Sequence, residues 1–313
     1  MTEANKIGID AIACVLGDAS VDNFTHAEKF GFDPSFLTDK IGFTALRKQS
    51  GENRTFELSR RALVALAEQT GVSLDTVDCL IVCTQNPDGH GLPNTASALH
   101  GEMGLSQDCA AFDISLGCSG YVYGLSVIRA FMAENDLTCG VLITADPYSK
   151  IIDPEDRDTA VLFGDGASAT LLRPGAAWQV GRSVFGSDGT RRDAIAVQSD
   201  GRLKMNGRGV FVFSAQTVPP AIQQALDKNK LGVSDVDLFL MHQGSKYIVT
   251  ELGKRLGVDA DKMPFAAAET GNLVSSSLPV LLAPELSRPN GHILIAGFGV
   301  GLSWGVSVLT RNT

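Results

Sequence analysis

The stretch that decides the fold is "FDISLGCSGYVYGLSVIRAFM", Phe112–Met132. It opens with an apolar run typical of a buried strand, which stops at Gly117, and a helical pattern begins at Ser119 or Gly120. Cys118 therefore lies in the turn between a strand and a helix. The helix is predicted to bury the apolar residues at helical spacing, which are Tyr123, Val127, Ala130 and Phe131.

The position of Cys118 allows two interpretations, a small buried core residue or a nucleophile. Free cysteine is among the most buried residue types, which favours the first. A thiol at a helix N-terminus faces unpaired N–H groups and the positive end of the helix dipole, which predicts a lowered pKa. Gly117 and Gly120 predict a sharp, strained turn that presents the side chain to a crevice. Position alone does not decide between the two.

Composition excludes several classes of protein. The 313 residues carry a net charge of -9, which argues against general attraction to nucleic acid or anionic membranes. No apolar run approaches membrane-spanning length, and "MTEANKIGID" lacks a signal pattern, so we expect a cytoplasmic protein. The six cysteines are scattered through apolar runs, which predicts neither a disulfide framework nor a zinc site.

The two halves of the chain echo each other. "GVSLDTVDCLIVCTQNP" (Gly71–Pro87) resembles "GVSDVDLFLMHQGS" (Gly232–Ser245), and each follows a helical pattern. "CGVLITAD" (Cys139–Asp146) is echoed in the same order by "GHILIAGFG" (Gly291–Gly299). Short apolar runs that alternate with helical patterns predict a duplicated α/β unit with buried sheets.

The duplication predicts an α/β fold with two βαβαβ-type halves, residues 1–172 and 173–313. Their sheets and helices would stack in α-β-α-β-α layers. Strand ends would then meet in a shared crevice, the usual place for a ligand. Functional residues are therefore expected directly after strand-like runs.

Two further polar residues fit this expectation. His242 ends the run "DLFLMH", although a lone histidine there is often only structural. Asn272 stands in "ETGNLVSSSLP", where Gly-Asn by itself indicates a turn. The closing "GFGVGLSWG" (Gly297–Gly305) is not a dinucleotide-binding fingerprint. Its glycines predict either a close backbone approach that aims an N–H at an oxyanion, or a tight strand.

Taken together, these segments resemble the thiolase superfamily and, within it, the β-ketoacyl-acyl-carrier-protein synthase III family. The resemblance covers nearly the whole chain. It rests on five motifs in the right order, which are "DISLGCSGYVYGL", "DPEDRDTAVLFGDGASATLL", "MHQGSKYI", "GNLVSSSLP" and "GFGVGLSWG". It implies a thiolase-like fold and a homodimer.

The resemblance also implies a reaction. Cys118, His242 and Asn272 fall on the family's catalytic residues, and the N–H groups of Cys118 and Val300 on its oxyanion hole. An acyl group would pass from acyl-CoA to Cys118, and malonyl-acyl carrier protein would lose CO2 and attack it. Coenzyme A and phosphopantetheine thioesters are then substrates, with no metal and no permanently bound cofactor.

Weaker matches concern substrate binding, and for the charged and aromatic residues among them a solvated charge or a core aromatic is the alternative. The implied coenzyme A and substrate-binding residues are Phe36, Lys40, Arg157, Gly207, Phe211 and Ser245. The chain departs from the family pattern at Ser245 and Tyr247, which replace a pantetheine-contacting asparagine and a carrier-docking arginine. Leu92, Arg208 and Val274 are further departures.

These departures predict a specialised, non-housekeeping member whose acyl donor is longer than acetyl, branched or aromatic. Two alternatives stay open. Cys118 could pass its acyl group to an alcohol or amine without forming a C–C bond. The chain could also be the non-catalytic partner of a heterodimeric synthase.

Overall fold

The structure, a computed structural model, describes residues 6–52 and 54–312. The first five residues of the stretch that was searched for a signal pattern lie outside the described residues. The strands are β1 (Ile7–Leu16), β2 (Ala19–Asp22), β3 (Ala45–Lys48), β4 (Cys79–Cys83), β5 (Ala110–Ile114), β6 (Gly140–Ala145), β7 (Gly166–Pro174), β8 (Trp178–Val180), β9 (Val184–Ser187), β10 (Ile195–Val197), β11 (Leu203–Met205), β12 (Leu238–Met241), β13 (His292–Gly299) and β14 (Ser303–Arg311). The α-helices are α1 (Phe24–Phe30), α2 (Arg54–Thr70), α3 (Thr95–Glu102), α4 (Gly120–Glu134), α5 (Gly207–Asn229), α6 (Lys246–Leu256) and α7 (Ser277–Leu282).

Ten strands form one hydrogen-bonded sheet. Its order is β12-β13-β14-β8-β1-β7-β6-β4-β5, and β9 pairs with β14 beside β8. The short strand β8 joins the two halves, because it pairs with β14 on one side and with β1 on the other.

The strand pairing repeats between the halves. In the first half β4 is parallel to β6, β6 is antiparallel to β7, and β7 is antiparallel to β1. In the second half β12 is parallel to β13, β13 is antiparallel to β14, and β14 is antiparallel to β9. The halves differ beyond these strands. In the first half β5 pairs with the outer side of β4. In the second half the corresponding side of β12 has a hydrogen bond from the Phe239 N–H to the Lys262 carbonyl at 2.7 Å.

The helices form three layers around the two halves of the sheet. Helix α2 covers the outer face of the first half, and α5 covers the outer face of the second. Helices α4 and α7 contact strands of both halves and form the central layer. This layering follows from the alternation of side chains between the two faces of a strand. In β4, Ile81 packs with α4, while Leu80 and Val82 pack with α2 on the other face. The predicted α/β fold in α-β-α-β-α layers is confirmed.

The predicted apolar stripe of α4 is wrong. The helix buries a different set of residues, which are Tyr121, Val122, Leu125, Ile128 and Met132. Val127 is exposed and Tyr123 half-buried. The helix is apolar on several faces because it lies between two sheet halves, so periodicity alone did not select the buried face.

The division at residue 172 stays a prediction, and β7 continues past it to Pro174. Over residues 6–52 and 54–312, no helix combines the length and apolar character needed to cross a membrane.

Candidate active site

A cavity of about 520 Å³ lies where the ends of β5, β12 and β13 meet. It is lined by every residue that the sequence singles out for the site. These are Cys118, His242, Asn272, Val300, Phe36, Lys40, Arg157, Gly207, Phe211 and Ser245. Residues up to 264 positions apart in the chain thus share one cavity. The strand-end argument accounts for Cys118 and His242, which follow β5 and β12, and not for Phe36, Lys40, Arg157, Gly207 and Phe211.

Glycines give Cys118 its place. A Cβ on Gly299 would lie 2.7 Å from Cys118 Sγ, and one on Gly297 would lie 2.6 Å from the Cys118 carbonyl oxygen. A Cβ on Gly117 would meet Val300 Cγ1 at 2.6 Å, and one on Gly120 would meet Cys83 Sγ at 2.3 Å.

The expected strain at this turn is absent. Gly117 and Gly120 both lie outside the left-handed region, although the Gly120 N–H does close a turn onto the Gly117 carbonyl at 2.7 Å. These glycines serve close packing and not a positive φ.

The Cys118 thiol is protonated at rest. Burial raises its pKa to about 12; the Val300 N–H acts to lower the pKa, and the Asp146 charge acts to raise it further. The prediction that the helix N-terminus lowers this pKa is therefore wrong. Burial destabilises the thiolate by more than hydrogen bonds from the N–H groups stabilise it. The Val300 N–H does point at the sulfur, which suits an oxyanion hole.

His242 follows β12 and is almost fully buried. Its N–H donates to the Ala296 carbonyl at 2.8 Å, which anchors it to β13, and its ring meets the Phe298 ring edge-on at 5.7 Å. Burial lowers the pKa of His242 to about 3, so the imidazole is neutral at physiological pH. Nδ1 has no hydrogen-bond partner among the described residues. A neutral ring has one donor and one acceptor nitrogen, and Nε2 is the one left for a substrate because Nδ1 is buried.

Asn272 is held by its backbone and by its side-chain oxygen. Its N–H donates to the Leu162 carbonyl at 2.8 Å, and its carbonyl accepts from the Gly164 N–H at 3.0 Å. Oδ1 accepts from the Val274 N–H at 2.9 Å. With the oxygen engaged, the amide NH2 is the group left to donate into the cavity. Val274 adopts a φ of 54°, a costly conformation for a β-branched residue.

Asp146 is a positioning residue that the sequence analysis missed. It is fully buried at the end of β6 and accepts from Ser275 Oγ at 2.5 Å, the Gln85 N–H at 2.7 Å and Thr84 Oγ1 at 3.2 Å. Burial raises its pKa to about 6. Asp146 thus joins the ends of β4 and β6 to the segment that carries Asn272. Its place directly after a strand is the signal that could have found it.

The mouth of the cavity carries two stacks of aromatic and cationic side chains. In the first, Arg157 lies 4.6 Å from the Phe32 ring centre, and Phe32 stacks on Phe36 at 5.1 Å. Phe32 therefore contacts both Arg157 and Phe36. The Phe36 side chain is 40 % exposed. Phe32 was missed, since nothing in its sequence context marks it.

The second stack involves a residue that departs from the family pattern. Lys40 Nζ lies 4.4 Å from the centre of the Tyr247 ring, and Tyr247 packs against Phe211 at 5.1 Å. Ser245 beside it caps α6, since its Oγ accepts from the Ile248 N–H at 3.3 Å. Within the part of the chain that the structure describes, no group of three or more His, Cys, Asp or Glu side chains could hold a metal ion.

Comparisons with known proteins identify the family. Two family models match, 3-oxoacyl-[acyl-carrier-protein (ACP)] synthase III over residues 112–189 and the C-terminal model of the same name over residues 226–311. The chain is 30 % identical over 321 residues to the β-ketoacyl-[acyl-carrier-protein] synthase III of Streptococcus pneumoniae, covering 96 % of this chain and 98 % of the relative.

Solved structures match over almost the whole chain. A crystal structure of a 3-oxoacyl-(acyl-carrier-protein) synthase III matches with a TM-score of 0.90 at 30 % identity, covering 98 % of this chain and 100 % of the other. The β-ketoacyl-[acyl carrier protein] synthase III of Thermus thermophilus gives a TM-score of 0.89 at 29 % identity, covering 97 % and 99 %.

Proposed function

This chain belongs to the 3-oxoacyl-[acyl-carrier-protein (ACP)] synthase III family of the thiolase superfamily and is an acyltransferase, and from this premise we propose a decarboxylative Claisen condensation. An acyl group carried on Cys118 is joined to a malonyl extender held on acyl carrier protein. The product is a β-ketoacyl thioester. The observation that carries the proposal is the cavity shared by Cys118, His242, Asn272 and Val300.

In the first stage Cys118 takes the acyl group from acyl-CoA. The sulfur bonds to the thioester carbonyl carbon, the bond from that carbon to the coenzyme A sulfur breaks, and the thiol proton leaves with coenzyme A. The oxyanion of the tetrahedral intermediate accepts from the N–H groups of Cys118 and Val300. Because the resting thiol is neutral, these donors stabilise charge only as it develops.

In the second stage the malonyl thioester loses CO2. The electron pair of the broken C–C bond moves onto the thioester oxygen, forming an enolate that accepts from His242 and from the Asn272 amide. A neutral histidine and an amide can both donate a hydrogen bond to this oxygen, and neither group has to change its protonation state first. The enolate carbon then attacks the acyl-Cys118 carbonyl carbon, the bond from that carbon to the Cys118 sulfur breaks, and the thiolate takes up a proton from solvent.

The mouth suits the carriers of both substrates. Arg157 with Phe32 and Phe36 provides a cation and aromatic faces for the nucleotide of coenzyme A. Gly207 and Ser245 line the same cavity as Cys118. Arg208 lines both this cavity and an adjoining groove, and it provides a cation there for an acidic carrier protein. The groove is also lined by Arg191, which pairs with Asp188 at 2.7 Å, and by Asp193.

A homodimer is part of the proposal. Strand β5 lies at the end of the sheet and is only half-buried along its length. Leu92 is 88 % exposed. A second copy would cover this edge. Light scattering after size exclusion should give twice the monomer mass of 33.1 kDa.

The test of the reaction is a two-stage mass experiment. Wild type, Cys118→Ala and Cys139→Ala are incubated with a panel of acyl-CoA thioesters, and intact masses are recorded. Cys139, buried at the start of β6, is the matched cysteine control. An adduct in wild type and Cys139→Ala, and none in Cys118→Ala, supports acyl transfer to Cys118.

Malonyl-acyl carrier protein is then added and CO2 release is followed. Asn272→Ala should load normally but discharge about 10²–10³-fold more slowly, because one donor to the enolate is gone. Discharge to an alcohol or amine without CO2 would instead favour simple acyl transfer. A chain that loads from no donor, on coenzyme A or on carrier protein, would contradict the proposal and favour a non-catalytic partner.

A further inference from the structure

Tyr148 is a buried residue of the cavity lining, and its hydroxyl lies near Gln85 and Gly117. It begins the short turn Tyr148–Lys150 after β6, lines the same cavity as Cys118 and is 4 % exposed. Its ring packs against Phe163 with the ring centres 5.1 Å apart. The proposed condensation assigns it no role.

The hydroxyl lies beside the nucleophile. A Cβ built on Gly117, the residue before Cys118, would lie 3.4 Å from the Tyr148 oxygen. The charge of a Cys118 thiolate also acts on the Tyr148 hydroxyl. An acyl chain attached to Cys118 Sγ would therefore start close to this oxygen.

The Tyr148 hydroxyl makes only a long hydrogen bond among the described residues. It donates to Gln85 Oε1 at 3.5 Å, well beyond the usual 2.7–2.8 Å of an O–H···O bond. A buried hydroxyl ordinarily has a close partner. The cavity lining also includes the apolar residues Val161, Leu162, Phe163, Ile195 and Met205. Burial keeps the phenol protonated, so it can donate at any physiological pH.

Resting on the proposed function, we propose that Tyr148 selects acyl groups that carry a neutral oxygen on the chain. A hydroxyl or carbonyl oxygen near the thioester would accept from the Tyr148 O–H and take the place of the long bond to Gln85. The fully buried Asp146 acts electrostatically on both Tyr148 and Cys118, which disfavours a carboxylate in this position. The substrate class is a short acyl-CoA, longer than acetyl, with a 3-hydroxy or 3-oxo group.

The test compares donors of equal carbon number. Wild type and Tyr148→Phe are loaded with butyryl-CoA, each enantiomer of 3-hydroxybutyryl-CoA, and acetoacetyl-CoA, and the rate of acyl-Cys118 formation is followed by intact mass. Phenylalanine keeps the ring against Phe163 and removes only the hydroxyl. We expect wild type to load at least one oxygen-bearing donor about 10–100-fold faster than butyryl-CoA, because butyryl-CoA leaves the buried hydroxyl without a partner. Tyr148→Phe should abolish that preference.

The control is Tyr123→Phe. Tyr123 donates to the Gly186 carbonyl at 3.3 Å and lies outside the cavity lining, so its loss should leave the preference unchanged. Equal loading of all donors by wild type, or a Tyr148→Phe preference equal to that of wild type, overturns the inference and leaves the condensation standing. Loading from none of these donors or from the wider panel overturns the proposed function and the inference with it.

Discussion

Replacement of Gly299 by alanine should displace the nucleophile. The new Cβ would lie 2.7 Å from Cys118 Sγ and 2.9 Å from Cys118 Cβ, whereas an unstrained contact needs about 3.5–4.0 Å. Relief of the overlap requires a movement of about 1 Å. Gly299 is the last residue of β13 and pairs with Ser303 of β14, so the strand resists the movement and the Cys118 side chain has to shift.

The size of the effect follows from this displacement. A misplacement of about 1 Å at a reacting group costs about 10²-fold in rate, or about 2.7 kcal/mol of transition-state stabilisation. Overpacking should also lower the free energy of unfolding by about 1–3 kcal/mol. Acyl loading is expected to suffer before the fold does, because the clash involves the reacting atom itself.

The assay measures the rate of acyl-Cys118 formation by intact mass, next to urea unfolding of the same samples. Gly101→Ala is the matched control, since a Cβ on Gly101 in α3 meets nothing within 4 Å. It should load like wild type. A folded Gly299→Ala protein that loads at the wild-type rate would refute the packing argument.

Three other outcomes can be checked. Burial raises the pKa of Asp146 from 3.8 to about 6, so the folded state binds this proton more tightly and wild-type stability falls as pH rises through that window. The free energy of unfolding of Asp146→Asn minus that of wild type should therefore be about 2 kcal/mol larger at pH 8 than at pH 4. Urea unfolding that gives the same difference at both pH values would contradict this. Gly164→Ala would put a Cβ 1.8 Å from the Thr270 carbonyl oxygen, so thermal unfolding should show a loss of about 3 kcal/mol; a wild-type melting temperature would speak against it. The His242 ring proton signal, assigned by its loss in His242→Asn, should not titrate between pH 5 and pH 8, because burial lowers its pKa to about 3; a midpoint near 6.5 would show that the ring is solvated.

The strand pattern and the site residues could be predicted from the sequence. Apolar runs such as Cys79–Cys83 are local signals of strands. The order of these runs repeats along the chain and predicts a duplicated unit, which the strand pairing confirms. Local pattern made Cys118, His242 and Asn272 candidates and left a structural interpretation open at each, and the resemblance to a known family singled them out. The structure places all three in one cavity. Their catalytic roles stay a prediction.

What the sequence could not decide depends on groups distant in the chain. The buried face of α4 depends on two sheet halves that close around it, and its periodicity favoured the wrong side. The pKa of Cys118 depends on burial and on the Asp146 charge, and these outweigh the local helix terminus. Tyr148 became a candidate for acyl selection only because folding brings its hydroxyl close to Gly117. Local pattern determines which elements form, whereas desolvation and long-range contacts determine what each side chain can do.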